Sequence, residues 1–287
     1  MGHGNHWECL GGTAEERIKQ FIPLTIAKGE VGQSAELVGD WFDSPKRKET
    51  INTITYPETP LRCMAMLVSQ GSKKKHALLS GFPFAASGGK QRLRILELRN
   101  DGNQAEGLLL CETAENNALI GFFDTHYYIN QGHYQVGEQY DFQLAGLIYS
   151  ARCTNEEIIE VTNQTTLAER YAALGETPER LPDGTLPPYI FRYANMTGLG
   201  PTAKYPDDAE FYAVIGEVTE FALEGIRIFQ IIPKFEEPSC EEVPLPRVIF
   251  GAAAVFQDGY VPKVGDSIGG MLWVQGFLDE PLAKRLA

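Results

Sequence analysis

The sequence contains no apolar run approaching the ~18 residues that a membrane-spanning helix needs. Residues 1–7 lack a basic start followed by an apolar stretch, so we expect no secretory signal. The chain has 5 cysteines, an odd number, and none of them forms a CxxC pair. Such usage disfavours a disulfide framework and fits reduced thiols. We therefore expect a cytoplasmic protein that is not embedded in a membrane.

Motifs of the common enzyme classes are also missing. There is no Gly-x-Ser-x-Gly nucleophile elbow and no cysteine with a credible base beside it in the sequence. Residues 87–91 resemble the end of a phosphate-binding loop. However, Phe84 stands where the first glycine belongs, and Gln91 replaces the hydroxyl residue that binds magnesium. Carboxylate pairs leave no linear motif, so acid–base catalysis stays open. We expect a non-enzymatic protein without a cofactor.

Negative charge is concentrated in one segment of the chain. The net charge is −13, and residues 154–246 hold 17 acids against 6 bases. An acidic protein is a poor indiscriminate binder of nucleic acid, because phosphate contacts require a basic surface. The segment predicts either a solvated face that keeps the protein soluble, or an acidic surface that docks a basic partner or imitates nucleic acid.

One short pattern occurs twice. Residues 136–138 read Val-Gly-Glu and residues 264–266 read Val-Gly-Asp, and each copy is followed at the same spacing by a leucine, Leu144 and Leu272. In both copies a turn precedes an apolar stretch. Repeats decide architecture, since each copy is one structural unit. This repeated pattern, the Val-Gly-acid echo, predicts two related units. It also predicts that the strands after the two turns have the same register.

Apolar stretches with strand character surround both copies. Alternation begins near Leu93, and Asn100 starts a strong hairpin signal before a returning strand at residues 107–112. Gly216 stands inside a later apolar strand, where a bulge would serve. Bent strands with internal glycines favour small closed barrels, and the OB-fold is one candidate. The predicted fold class is mainly β with minor α.

Four regions follow from these patterns. Residues 1–78 are predicted as a small mixed α/β region, and residues 79–153 as a first β-barrel-like repeat. Residues 154–210 are predicted as an acidic, proline-rich insertion with a short helix at residues 163–174, which Gly175 stops. Residues 211–287 are predicted as a second β-barrel-like repeat. Long stretches without periodicity are commonly functional loops or linkers.

The N-terminal region has one clear helix signal. Thr13 followed by Glu16 is a capping box, and Pro23 is expected to end the helix that it starts. His3, His6 and Cys9 precede this helix as a set of soft metal ligands. We expect this segment to be a flexible terminus rather than a copper site.

The most suggestive polar cluster holds Asp124, His126 and His133. In an extended chain Asp124 and His126 would point to one face, and His133 would return across a turn. Two imidazoles and a carboxylate can bind zinc or iron. The spacing matches no defined motif, and a structural turn with satisfied polar groups is the main expectation. A ligand rim, with Tyr127 and Tyr128 as stacking faces, is the third alternative.

Basic residues concentrate in one stretch of the first repeat. Lys90, Arg92 and Arg94 alternate along a predicted strand, and Lys73–Lys75 precede them. OB-type barrels that bind single strands combine a basic groove with stacking aromatics. Solvated strand-edge cations are the simpler interpretation.

The sequence therefore favours a cytoplasmic binding or interaction module, non-enzymatic, that pairs with another protein or with itself. Single-stranded nucleic-acid binding through Lys90, Arg92 and Arg94 is the first alternative, although the net charge disfavours it. A metal-dependent enzyme at Asp124 and the two histidines is the second.

Overall fold

A computed structural model describes residues 5–39, 47–69, 76–100, 105–114, 117–202, 205–235 and 244–279; for residues 37–39 and 47–48 only the backbone is described. These residues form mainly β-structure, as predicted. The helices among them are α1 (Ala14–Lys28), α2 (Tyr127–Asn130) and α3 (Gln164–Leu174). No helix in the described part of the chain is long and apolar enough to cross a membrane.

The described strands fall into three sheets. In chain order they are β1 (Glu30–Gly39), β2 (Arg47–Tyr56), β3 (Leu61–Ser69), β4 (His76–Ala85), β5 (Gly89–Arg99), β6 (Gly107–Thr113), β7 (Leu119–Asp124), β8 (Gln139–Cys153), β9 (Ile158–Val161), β10 (Tyr189–Arg192), β11 (Gly198–Pro201), β12 (Asp208–Leu223), β13 (Ile226–Lys234), β14 (Ile249–Ala252) and β15 (Ser267–Leu278).

Helix α1 begins as its sequence predicts. The Thr13 hydroxyl accepts a hydrogen bond from the Glu16 N–H at 3.3 Å, and the Glu16 carboxylate accepts one from the Thr13 N–H at 3.0 Å. The capping box is confirmed. The expectation that Pro23 ends the helix is wrong, because α1 continues beyond it. Proline removes one backbone hydrogen bond, but the buried Phe21 and Ile22 pack this helix against β2 and β3.

The four-stranded sheet is antiparallel, with the order β1-β2-β3-β4. The short apolar run that follows Arg62 in the sequence forms β3. Strand β4 crosses the predicted boundary at residue 79, so this sheet continues into the region assigned to the first repeat. Lys73–Lys75, between β3 and β4, lie outside the described residues.

The large sheet has nine strands and closes on itself. Its order is β11-β12-β13-β14-β8-β15-β7-β6-β5, and further pairings join β12 to β15 and β8 to β5. We call β5-β6-β7-β15-β8 the first ring and β12-β13-β14-β8-β15 the second ring. Each ring has one parallel pairing, β7 with β15 or β14 with β8. The expected barrels therefore do not form separate sheets, since β8 and β15 belong to both rings.

The shared strands approach each other closely. β8 and β15 are antiparallel from the pair Ile268–Cys153 to the pair Leu278–Phe142. A Cβ added to Gly270 would lie 2.0 Å from the carbonyl oxygen of Ser150. This position therefore requires glycine, which allows β8 and β15 to approach each other closely.

The two Val-Gly-acid turns are built by the same contacts. Gly137 and Gly265 have φ values of +92° and +90°, in the left-handed region that favours glycine. The Gly137 N–H donates to the carbonyl of Ile95, and the Gly265 N–H donates to that of Ile215, both at 2.8 Å. The echo in the sequence thus marks equivalent turns, one against β5 and one against β12.

Residues 154–193 form a small unit beside the second ring, where the Tyr193 ring stacks on Tyr212 of β12 with centroids 5.0 Å apart. Helix α3 begins at Asn163, whose side chain accepts from two backbone N–H groups, and ends at Gly175 with φ +69°. The predicted helix is confirmed. Strands β9 and β10 form a two-stranded antiparallel sheet of their own.

The N-terminal segment is part of the core, which corrects the expected flexible terminus. Residues 5–10 form a 3-10 helix in which Trp7 is 1% exposed. The Trp7 indole N–H donates to the Gly81 carbonyl at 3.0 Å, and the His6 ring stacks on Trp273 with centroids 4.0 Å apart. Burial of these rings holds the segment in place. His3 lies outside the described residues.

Two kinds of contact join the four-stranded sheet to the rings. Phe82 of β4 and Phe123 of β7 meet edge to face, with centroids 5.0 Å apart. Gln275 of β15 is buried; its amide donates to the Pro83 carbonyl at 2.8 Å and accepts from the Ala85 N–H at 3.0 Å. A cleft lies beside this junction.

Candidate functional site

Asp124 is a structural residue at the end of β7. Its carboxylate is buried and accepts hydrogen bonds from the His126 N–H at 2.9 Å and from the Tyr134 hydroxyl at 2.5 Å. Burial raises the pKa of Asp124 to about 7. The expected extended chain through residues 124–126 is corrected, because the strand ends at Asp124 and the chain turns into α2.

His126 lies in that turn and is partly buried. Its Nδ1 is 3.1 Å from the Thr125 hydroxyl, and its ring meets Phe277 edge-on with centroids 5.4 Å apart. Burial lowers the pKa of His126 to about 4, because an imidazolium is poorly solvated there. The ring is therefore neutral at pH 7.

His133 is exposed and lies after α2 in a short 3-10 segment. Its backbone carbonyl accepts a hydrogen bond from the Tyr140 hydroxyl at 3.4 Å. Within the described ranges no group of three or more His, Cys, Asp or Glu side chains is placed to hold a metal ion. The structure thus does not assemble Asp124, His126 and His133 into a ligand set.

Tyr127 and Tyr128 do not present stacking faces, because both rings are buried. The Tyr128 hydroxyl lies 3.2 Å from the Thr53 hydroxyl, and burial raises the pKa of Tyr128 to about 12. Asn100 donates to the Tyr127 hydroxyl at 3.4 Å. The two tyrosines attach α2 to β2 and to the end of β5.

Lys90, Arg92 and Arg94 lie on one face of β5, since alternate residues of a strand share a face. The Lys90 ammonium is 3.0 Å from the Asp279 carboxylate, which raises the pKa of Lys90 by hydrogen bonding. Arg94 is 2.8 Å from Glu112, and Arg92 is exposed. Acids neutralise two of these three cations, so β5 does not form a continuous basic groove.

The cleft between the four-stranded sheet and the first ring has a volume of about 370 Å³. This is within the usual size range of small-molecule sites. Its walls come from β1–β4, α2 and the end of β15. Residues that define it include Thr55, Arg62, Phe84, His126, Asn130 and Phe277.

Asn130 is the most unusual polar residue in the cleft wall. It is 2% exposed, and its Oδ1 has no hydrogen-bond partner among the described residues. Its Nδ2 donates to the His126 carbonyl at 3.4 Å, which fixes the amide orientation, because the reverse would set two oxygens against each other. A buried acceptor without a donor costs free energy, so each case requires an explanation.

Arg62 adds a positive charge to the same cleft. Its Nε donates to the Thr59 carbonyl at 3.0 Å, and no carboxylate among the described residues lies within ion-pair distance of it. The guanidinium has five donors. Its terminal nitrogens are therefore available to an acceptor in the cleft.

A second candidate surface lies on the β9–β10 sheet. Register pairs Ile190 with Glu160 and Arg192 with Ile158, so these four side chains share one face. Ile158 is 48% exposed and Ile190 is 47% exposed. We call this the isoleucine face. On the opposite face, Arg170 of α3 has its guanidinium carbon 4.1 Å from the centre of the Tyr189 ring, and Ile159 is 43% exposed.

Unpaired acids accompany the isoleucine face. Glu157 is held by Arg152 at 2.8 Å, but other acids of this unit form no ion pair with a described residue: Glu156, Glu160, Glu169, Glu176 and Glu179. The face itself is apolar at two positions and carries one acid, Glu160, and one base, Arg192, while the unit that holds it is acidic.

Comparison of the chain with protein-family models, with curated proteins and with solved structures finds no match. Family membership therefore contributes nothing to the assignment of either surface.

Sequence reasoning missed the residues that define both surfaces. Arg62 carried a weak signal, as a single cation at the start of an apolar strand. Asn130 carried none, because the burial of its oxygen depends on how α2 packs. Ile158 and Ile190 lie in a segment without clear periodicity, where apolar residues beside acids were the only signal.

Proposed function

We propose that the protein is a non-enzymatic binding module whose partner is another protein, and that the isoleucine face receives a basic, partly apolar segment of that partner. The observation that carries the proposal is the pair of half-exposed isoleucines, Ile158 and Ile190, on a two-stranded sheet. Exposed apolar patches with polar rims are typical of interaction sites.

The form of the sheet supports strand addition. β9 and β10 pair with each other alone among the described strands, so each has an outer edge with unpaired backbone groups. Two-stranded sheets are marginal by themselves, and a third strand stabilises them. An added strand forms backbone hydrogen bonds and places alternate side chains on the isoleucine face.

Charge supports a basic partner. Glu160 and Arg192 offset each other on the isoleucine face, but residues 154–246 carry most of the acidity of the chain. A segment in which Lys or Arg alternates with apolar residues would pair its cations with the acids and its apolar side chains with Ile158 and Ile190.

The proposal also includes one statement about the fold and one about the location of the protein in the cell. The closed circuits of five strands support an OB-like interpretation of each ring as a tandem repeat, with each ring taking one strand from the other copy. A cytoplasmic location is supported by the buried free thiols of Cys9, Cys63 and Cys111.

The alternatives have less support. The described cations of β5 are largely paired with acids, and the tyrosines beside them are buried, which argues against a stacking groove for single strands. For a metal-dependent enzyme, Asp124 has both oxygens engaged and His133 faces solvent.

The test uses a labelled peptide of alternating Lys and Val, about the length of a strand, and a second peptide with Glu in place of Lys. We expect fluorescence anisotropy to show binding of the Lys peptide that weakens with salt. The double substitution Ile158→Ser with Ile190→Ser should weaken it at least about tenfold, because two apolar contacts are lost.

The matched control is Val136→Ser with Val264→Ser, which removes two apolar residues of the Val-Gly-acid turns that are more exposed than the isoleucines, at 61% and 65%. Equal binding by the isoleucine variant and the wild type, or equal binding of the Glu peptide, would contradict the proposal. Sedimentation velocity supplies a further outcome. Self-association that the isoleucine substitutions abolish would assign this face to a second copy instead.

A further inference from the structure

We propose that the cleft beside Arg62 and Asn130 is a second, independent site, which binds a small organic acid with an apolar body and a hydrogen-bond donor. Amino acids and hydroxy acids with an apolar side chain form this class. The site shares no residue with the isoleucine face, so either assignment can fail without the other.

Arg62 identifies the acid group of the ligand. Its guanidinium forms no ion pair with a carboxylate of a described residue, and Arg62 borders the cleft. A planar carboxylate can accept two parallel hydrogen bonds from such a group. A cation in a partly closed cleft is less screened than one on the surface, which strengthens this contact.

Asn130 identifies the donor group. Its Oδ1 is buried without a partner, and the residue forms part of the cleft wall. The oxygen is closed to solvent, so a ligand hydroxyl or ammonium in the cleft supplies the missing hydrogen bond only after the Asn130 side chain turns towards the cleft. Sites that satisfy a buried polar group discriminate strongly against analogues that lack it.

The remaining walls limit the charge and shape of the ligand. Met64, Phe84 and Phe277 contribute apolar surface, which suits an aliphatic or aromatic body. His126 is neutral at pH 7, because burial lowers its pKa to about 4, so it adds no second positive charge. Asp279 also borders the cleft. With Arg62 as the cation and Asp279 as an acid in the same cleft, a ligand with one negative charge is favoured over a phosphate dianion, because the second negative charge would meet no cation.

Four related ligands separate these contacts. Isothermal titration would compare L-leucine, L-leucic acid, isocaproate and isoamylamine against the full chain. Leucine and leucic acid differ in the donor, isocaproate lacks it, and isoamylamine lacks the carboxylate. We expect leucine or leucic acid to bind, with the tighter of the two showing which donor Asn130 prefers. Isocaproate should bind at least about tenfold more weakly, since it leaves the Asn130 oxygen unpaired.

Two variants assign the contacts to residues. Arg62→Gln should weaken binding of the tighter of leucine and leucic acid at least about tenfold and leave the weak binding of isoamylamine unchanged. Asn130→Ala should abolish the preference for that tighter ligand over isocaproate. Arg92→Gln is the matched control, because it removes an exposed cation of β5 outside the cleft. Thermal unfolding establishes whether each variant folds. If Asn130→Ala does not fold, the comparison of Arg62→Gln with wild type tests the proposal by itself.

Three results would overturn the proposal. One is the absence of binding heat for all four ligands up to about 10 mM, a range that covers weak fragments. Another is equal affinity for isocaproate and for the tighter of leucine and leucic acid. The third is unchanged binding of that tighter ligand by Arg62→Gln.

Discussion

Asp124 and His126 should give the protein opposite and nearly cancelling pH dependences, which two substitutions would separate. Asp124→Asn and His126→Gln each remove one titrating group from the turn between β7 and α2. Both groups are desolvated, and burial favours the neutral form of each. A neutral carboxyl has bound a proton, whereas a neutral imidazole has released one. The two sites therefore respond to pH in opposite directions.

The folded pKa of Asp124 is raised from 3.8 to about 7. Between these values the folded state binds more protons than the unfolded state, so stability present below pH 3.8 is lost as pH rises towards 7. The folded pKa of His126 is lowered from 6.5 to about 4. Here the unfolded state binds more protons, so stability present above pH 6.5 is lost as pH falls towards 4.

The magnitudes follow from about 1.4 kcal/mol per pH unit. Asp124 contributes a fall of about 4 kcal/mol in the free energy of unfolding between pH 4 and pH 7. His126 contributes a rise of about 3 kcal/mol between pH 4 and pH 6.5. In the wild type these two contributions largely offset each other over that window.

Urea unfolding at a series of pH values from 4 to 8 would measure this, followed by the fluorescence of the buried Trp7 and Trp273. Relative to wild type, Asp124→Asn should gain about 4 kcal/mol in stability as pH rises from 4 to 7. Relative to wild type, His126→Gln should lose about 3 kcal/mol between pH 4 and 6.5. Any constant offset from altered hydrogen bonds does not affect these slopes.

Asp258→Asn supplies the matched acid-to-amide control. Asp258 is exposed and has φ +54°, a conformation that Asn tolerates. A difference between Asp124→Asn and wild type that stays constant within about 1 kcal/mol from pH 4 to 7 would refute the burial argument. Slopes of the same sign for both turn variants would refute it as well.

Three further predictions concern stability, measured by urea unfolding. Trp7→Ala should cost about 3 to 5 kcal/mol, because it empties a buried site in the N-terminal segment; a loss below about 1 kcal/mol would mean that the segment is not packed. Gly270→Ala should cost about 3 kcal/mol or more or prevent folding, because its Cβ would overlap the Ser150 carbonyl, whereas Gly132→Ala, with open space around it, should be close to neutral. Thr13→Ala should cost about 1 kcal/mol through loss of the cap, and no change would argue against the capping box.

Local patterns predicted local structure well. The capping box at Thr13, the helix between Asn163 and Gly175, and the bulge at Gly216 all follow from the chemistry of a few adjacent residues. The helix continuing beyond Pro23 does not, because its packing against β2 and β3 outweighs one lost hydrogen bond.

Non-local pairing could not be read from the sequence. The Val-Gly-acid echo predicted related units and equivalent turns, but nothing in either copy indicates that β8 and β15 pair with each other. The parallel contacts of β7 with β15 and of β14 with β8 join strands far apart in the chain. Periodicity specifies which residues of a strand face the core, not which strand lies beside it.

The candidate sites also divide into a local feature that the sequence predicted and a non-local feature that it did not. The turn at Asp124 was among the expected outcomes, because Asp, Thr and His near a strand end often satisfy backbone groups. The cleft was not expected, because Arg62, Asn130 and Phe277 come from three segments that are distant in the sequence. Its signature, a buried oxygen without a donor, exists only after the segments have packed.

Because both rings share β15, neither ring can close during synthesis until β15 has left the ribosome. A ribosome releases β5, β6, β7 and β8 long before residues 267–278, yet the first ring has no partner for the β7 edge until β15 arrives. During that interval an apolar strand edge stays open to wrong pairing. Closure of both rings then depends on β15, so we expect slow, highly cooperative folding and a nascent chain that needs protection until β15 emerges.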